Sequence, residues 1–240
     1  MVTFKRKFYD EMLEWKKTSN GTSALMIDGA RRVGKSTIAV EFARNEYDDY
    51  LLIDFVNASK DIKDNFENLG NMDVFFRNLF LFAGKGLKSN NSVIIFDEVQ
   101  KFPRAREAIK YLVKDGRYHY IETGSLISIK KKSQEIVIPS EEDKRKMYPM
   151  DFEEFLWATG DNVTAPFIKE CFEKRIPTGD KIHRKIMSTF RTYFAIGGMP
   201  QVVDAYVQGK TYQEIDMVKR NILALYEEDL GKYLETIAGM

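Results

Sequence analysis

A short apolar run, Ala24-Leu25-Met26-Ile27, leads into Gly29-Ala30-Arg31-Arg32-Val33-Gly34-Lys35-Ser36, and residues 37–44 then continue with helical character. This junction constrains the fold more tightly than any other stretch of the 240 residues. A run so uniformly apolar suits a strand buried on both faces. The pattern G-x-x-x-x-G-K-[ST] lets the backbone curl until several N–H groups point into one cavity, which suits phosphate groups. Lys35 brings a mobile point charge to the β- and γ-phosphates, and the Ser36 hydroxyl is a hard oxygen ligand for Mg²⁺. The helix that begins here aims its positive end at the same place. By average composition the four fixed positions coincide in roughly one chain in a hundred of this length. The strand–loop–helix setting is the context that the pattern needs. The predicted nucleotide contacts are Gly29, Arg31, Arg32, Val33, Gly34, Lys35, Ser36 and Thr37.

The rest of the first 125 residues extends the same scheme. Phe8, Met12 and Trp15 form an apolar stripe at i, i+4 and i+7, and Asn20-Gly21-Thr22 ends it. Tyr50-Leu51-Leu52-Ile53 and Val93-Ile94-Ile95-Phe96 read as further buried strands, and residues 118–123 as a fourth. Helices are predicted over 72–82 and from Pro103 to about residue 114, since proline is tolerated in a first turn. Strands alternating with helices call for a parallel α/β sheet covered on both sides. Beyond Ser125 the character changes. Charged groups at 130–132 and 141–146 flank Ile136-Val137-Ile138, and limited proteolysis is expected to cut this charged stretch first. From Asp151 the pattern is helical, broken at Thr178-Gly179 and Gly197-Gly198-Met199-Pro200. The boundary is placed near residue 150, with Phe152, Phe155 and Leu156 as apolar anchors against the sheet.

A second chemical element completes the first. The strand Val93-Ile94-Ile95-Phe96 delivers Asp97 at its carboxyl end, where ligands bind in open α/β sheets. Asp97 can hold Mg²⁺ opposite Ser36, and Glu98 can orient an attacking water and take its proton. Thr123-Gly124-Ser125 ends the fourth strand, either as a polar group facing the γ-phosphate or as a plain turn using Gly124. Arg31, Arg32, Arg104 and Arg106 are candidates for an arginine finger, though a solvated surface is the preferred reading of each.

Composition trims the alternatives. Lys and Arg number 37 against 36 Asp and Glu, a net charge of +1, which argues against a dedicated nucleic-acid coat. The Lys130-Lys131-Lys132 triplet reads as a solvated loop in preference to a nucleic-acid contact. With one cysteine, Cys171, there is no intrachain disulfide and no cysteine-based zinc site, and a small core residue is expected there. His119 and His183 lack a Cys/His cluster in sequence. No apolar run reaches the roughly 20 residues of a membrane span. A cytoplasmic setting without a membrane partner is expected.

Assembled, these residues resemble the prokaryotic AAA-type P-loop ATPases of the additional-strand, catalytic-glutamate class, in which a helical region and a C-terminal domain follow the ATPase domain. The resemblance rests on the loop 29–36, on Phe96-Asp97-Glu98-Val99-Gln100 and on Glu122-Thr123-Gly124-Ser125. Residues 148–156, Tyr-Pro-Met-Asp-Phe-Glu-Glu-Phe-Leu, and 193–200, Tyr-Phe-Ala-Ile-Gly-Gly-Met-Pro, extend it over nearly the whole chain. It implies a three-layer α/β/α P-loop NTPase fold over 1–150, with a mainly parallel sheet and the Ser125 strand between the Lys35 and Asp97 strands. A helical subdomain and the start of a C-terminal region, cut short, are implied over 151–240. It also implies ATP in preference to GTP, with Mg²⁺ held by Ser36 and Asp97. Glu98 is the implied catalytic glutamate, assisted by Lys35 and by Ser125 or Thr123 as polar sensor. Relatives carry a Gly-Arg pair where this chain reads Ile138-Pro139-Ser140-Glu141-Glu142, which leaves Arg145 as the substitute. The expected function is MgATP hydrolysis that drives or times a conformational change in a partner system. A neighbouring copy is a possible source of an arginine finger. A nucleotide-gated interaction module and a DNA-associated ATPase are the alternatives.

Overall fold

The computed structural model describes residues 3–88, 91–125 and 139–238. The chain divides into two compact units, Phe8–Met147 and Tyr148–Met240, and the residues before Phe8 group with the second. Lys130-Lys131-Lys132 and Ile136-Val137-Ile138 lie outside the described residues.

The first unit is built on a five-stranded sheet in the order β2-β3-β4-β1-β5. Its strands are β1 (Ala24–Gly29), β2 (Asp49–Asp54), β3 (Ser92–Asp97), β4 (His119–Ser125) and β5 (Glu142–Met147), and every pairing is parallel. The strand that carries Ser125 therefore lies between those leading to Lys35 and Asp97, as the resemblance implies. Among the described residues five helices accompany them: α1 (Phe8–Ser19), α2 (Lys35–Glu46), α3 (Lys60–Asn65), α4 (Met72–Ala83) and α5 (Pro103–Asp115). All six residues of β1 are buried, as a centrally placed parallel strand requires. The stripe on α1 buries Phe8, Met12 and Trp15. On the side of α3, α4 and α5, Phe55, Phe66, Phe75, Phe76, Phe96 and Tyr120 pack into an aromatic cluster with ring centroids mostly 5–6 Å apart.

The edge strand β5 departs from the sequence expectation. Its sequence, Glu-Asp-Lys-Arg-Lys-Met, reads as a charged loop open to proteolysis, yet it pairs with β1 from Ala24 opposite Glu142 to Gly29 opposite Met147. Charge alternates between the faces, and the alternation is matched. Glu142 meets the Arg106 guanidinium of α5 at 2.6 Å, and Lys144 meets Asp28 at 2.9 Å. On the opposite side Arg145 pairs with Glu14 of α1 at 3.1 Å and donates to the Glu11 carbonyl at 2.7 Å. An exposed edge dressed in charge also resists pairing with another chain.

The second unit is helical: α6 (Phe152–Ala158), α7 (Thr164–Lys174), α8 (Asp180–Ile196), α9 (Pro200–Val207) and α10 (Tyr212–Ala238). Its core joins Met150, Phe155, Ile196, Val202, Val203, Ala205, Ile215 and Ile222, with Phe152 packed against it. Phe152 and Phe155, expected as anchors against the sheet, thus serve this core. Cys171 is buried, as expected. Asp151 and Glu154 form a reciprocal capping box at the start of α6. The same Glu154 accepts the Lys7 backbone N–H at 2.7 Å and pairs with Arg6 at 3.2 Å.

Two motifs far apart in sequence meet in this unit. The Met150 N–H donates to the Gly198 carbonyl at 2.7 Å, and the Tyr193 hydroxyl donates to the Met150 carbonyl at 3.0 Å. A Cβ on Gly198 would stand 2.0 Å from that same carbonyl oxygen. Backbone cannot step aside as a side-chain tip can. Gly198→Ala is therefore expected to cost about 1–3 kcal/mol, the usual scale of overpacking. Thermal unfolding followed by circular dichroism would show a lower Tm, and an unchanged Tm would mean that this contact contributes nothing to stability.

Candidate active site

Parallel strands bring their carboxyl ends to one edge of the sheet, and here three ends converge. Gly29 closes β1, Asp97 closes β3 and Ser125 closes β4, with Gly29 directly opposite Ser125. The loop after β1 turns by means of two left-handed residues, Arg32 at φ 65° and Gly34 at φ 98°. Gly34 is the N-cap of α2 and has no side chain to occupy the first-turn N–H groups, so an anion can take them. Lys35 is buried, and its ammonium donates to the carbonyls of Gly29 at 3.1 Å and Ala30 at 2.8 Å. Burial lowers its pKa from the ordinary lysine value, opposed by the nearby charges of Glu98, Asp28 and Asp97.

The Ser36 hydroxyl donates to Asp97 Oδ1 at 2.7 Å, and the Thr123 hydroxyl donates to the same oxygen. Hydroxyls from α2 and β4 thus converge on one carboxylate oxygen at the end of β3. That donor set fits Mg²⁺, which Ser36 and Asp97 could hold. The ion, when bound, would neutralise phosphate charge.

Glu98 follows in a left-handed conformation, φ 56° and ψ 45°. A non-glycine residue held there carries strain on the order of 1–3 kcal/mol, of a kind that clusters at active sites. Its N–H donates to Thr123 Oγ1 at 3.2 Å, and its carboxylate accepts from the Gln100 amide. Gln100 also reaches Ser125 Oγ at 3.4 Å. The structure thus brings Gly29, Gly34, Lys35, Ser36, Asp97, Glu98, Thr123 and Ser125 to one sheet edge. Within the loop Val33 is buried, Arg31 half-buried and Arg32 exposed, and Thr37 is half-buried in the first turn of α2.

Of the arginines, Arg106 departs from its sequence reading. Arg106, expected on a solvated surface, is buried and clasps Glu142 through two hydrogen bonds of 2.6 and 2.7 Å. It cannot reach out as a finger. Arg104 pairs with Glu67 and Glu107, and Arg145 with Glu14 and Asp143. Gln100 lies within a motif visible in the sequence, but no periodicity or spacing marks it. Its part emerges only when the short 3₁₀ turn at Val99–Lys101 folds it back onto Glu98.

Comparison with known proteins adds a family. Among solved structures, the chain is similar to a signal transduction ATPase with numerous domains that carries a tetratricopeptide repeat sensor, from Pyrococcus horikoshii. The identity is 12% and the TM-score 0.47, over 90% of this chain and 32% of that one. It is also similar to the RuvB Holliday junction branch migration motor of Thermotoga maritima, at 12% identity and TM-score 0.39, over 65% of this chain and 51% of the other. The chain thus spans about a third and about half of these two proteins. No curated protein matches the sequence. The sequence profile described as AAA domain matches residues 21–156, a span that runs from before β1 to within α6 and holds every site residue named above. That span is more than half of the chain, which belongs to the AAA domain family of prokaryotic P-loop ATPases.

Proposed function

We propose that this chain hydrolyses MgATP and uses the cycle to drive or time a conformational change in a partner system. The observation that carries the reading is the contact of Ser36 and Thr123 with one oxygen of Asp97, beside buried Lys35 and one residue before Glu98. Lys35 and the N–H groups of the Gly29–Gly34 loop would bind the phosphates, and Ser36 and Asp97 would hold Mg²⁺. Glu98 would take a proton from water as its oxygen attacks the γ-phosphorus and the bond to the β-phosphate oxygen breaks, releasing ADP and phosphate. Ser125 and Thr123 would sense the γ-phosphate. A neighbouring copy would supply the cation that offsets charge in the transition state; Arg106, clasped by Glu142 inside the fold, cannot. Among the described residues no helix is long and apolar enough to cross a membrane.

The direct test is a melting experiment. A ligand at 100 times its Kd stabilises a fold by about 2.7 kcal/mol. MgATP should therefore raise Tm by several degrees, and Lys35→Ala should remove the rise. An equal rise in that variant would place the nucleotide elsewhere.

A further inference from the structure

We infer that Gln100 is a positioning residue for Glu98, forming with Ser125 the second arm of a clamp that fixes the glutamate to the end of β4. The inference rests on the assignment of Glu98 as the group that accepts the proton of water.

The clamp has two arms, both anchored on one strand. The first holds the backbone: the Glu98 N–H donates to Thr123 Oγ1 at 3.2 Å. The second holds the side chain: Gln100 Nε2 donates to Glu98 Oε2 and lies 3.4 Å from Ser125 Oγ. Thr123 and Ser125 are two residues apart on β4, so their side chains point the same way. The 3₁₀ turn is closed by Lys101 N–H to the Glu98 carbonyl at 2.8 Å and Phe102 N–H to the Val99 carbonyl at 3.0 Å, which brings Gln100 back under Glu98.

Chemistry decides which way the amide points. Turned over, its oxygen would face a carboxylate, lone pair against lone pair. With the nitrogen toward Glu98, both amide protons have acceptors. The cost falls on the other end: Gln100 Oε1 is buried and accepts no hydrogen bond among the described residues. An orphaned buried acceptor costs free energy of its own. The strain in Glu98 points to the clamp, since a left-handed non-glycine residue persists only when its surroundings over-determine it. Holding the carboxylate still matters because misplacing a reacting group by about 1 Å can cost on the order of 100-fold in rate.

The test is single-turnover and steady-state hydrolysis of MgATP by Gln100→Met, alone and combined with Glu98→Gln. Gln100→Met should lower kcat on the order of 10- to 100-fold, leave KM within about twofold, and keep the melting shift produced by MgATP. In the Glu98→Gln background it should add no further loss, because the group it positions no longer takes a proton. Should the methionine variant fold poorly, Gln100→Asn keeps the amide but is one methylene too short, and it should show the same fall in kcat. Full kcat in a folded variant, a rise in KM with kcat unchanged, or losses that multiply in the double variant would each overturn the clamp. Wild-type turnover in Glu98→Gln alone would overturn the assignment of Glu98 as proton acceptor and the clamp with it, whereas loss there beside full activity in Gln100→Met would overturn the clamp alone.

Discussion

Glu98→Gln should bind MgATP as well as the parent chain and turn it over on the order of 100-fold more slowly, the usual scale for a positioned general base. The substitution keeps the size of the side chain and its reach to Gln100. It removes the negative charge and the capacity to take a proton from water. Nothing else in the cradle changes: Lys35, Ser36, Asp97 and Thr123 keep their contacts with one another and with the loop. Binding, read as the melting shift, and turnover should therefore separate at this one residue. Basal turnover of the parent should itself be slow, because a cation supplied by a neighbour is worth about 10³ or more in other NTPases. Activity per molecule should consequently rise with protein concentration as copies meet. If it is independent of concentration and indifferent to Glu98→Gln, the chain is better described as a nucleotide-gated interaction module.

Much of this architecture is legible in the sequence, for reasons visible in particular elements. β1 and β3 are read from short apolar runs because central parallel strands are buried on both faces and admit little else. The stripe of α1 is legible because Phe8, Met12 and Trp15 face one way. Lys35, Ser36, Asp97 and Glu98 are legible because phosphate and metal chemistry tie residue types to fixed places after a strand. β5 is not, because no residue from Glu142 to Lys146 is apolar, while Glu142, Lys144 and Arg145 find partners on other elements. Tertiary pairing overrides a local pattern that says loop. Arg106 and Gln100 are missed for the same reason: an arginine in an amphipathic helix and a glutamine after a strand look like surface until the fold shuts them in.

Arg106→Met should destabilise the sheet unit by about 3–5 kcal/mol, the scale for a buried pair that loses one partner, while Glu122→Gln should stabilise it above pH 5. Both expectations come from one cluster on the α5 side of the sheet. Glu122 is fully buried on β4, and neither of its oxygens accepts a hydrogen bond among the described residues. Arg106 turns its Nε and Nη2 to Glu142, and Lys144 answers Asp28. Burial raises the Glu122 pKa well above 4.5, the charge of Glu142 adds to the rise, and Arg106 only partly opposes it. The two carboxyl groups are also within hydrogen-bond reach, which only a proton can bridge. Burial beside Glu142 accordingly favours the neutral form of Glu122 in the folded chain. The sign follows from linkage. Between the unfolded value near 4.5 and the higher folded value, the folded chain holds a proton that the unfolded chain has released. Stability then falls as pH rises, on the order of 1.4 kcal/mol per pH unit, until pH passes the folded pKa. Glutamine keeps a donor toward Glu142 and has no proton to lose. Denaturant titrations from pH 5 to pH 8 should show the Glu122→Gln variant gaining on the parent as pH rises, and parallel curves would mean that Glu122 is charged in the fold. Since small domains hold together by about 5–15 kcal/mol in total, Arg106→Met should fold poorly, if at all, at neutral pH. It strands the Glu142 carboxylate that the guanidinium compensates and removes a cation that opposes the charge beside Glu122.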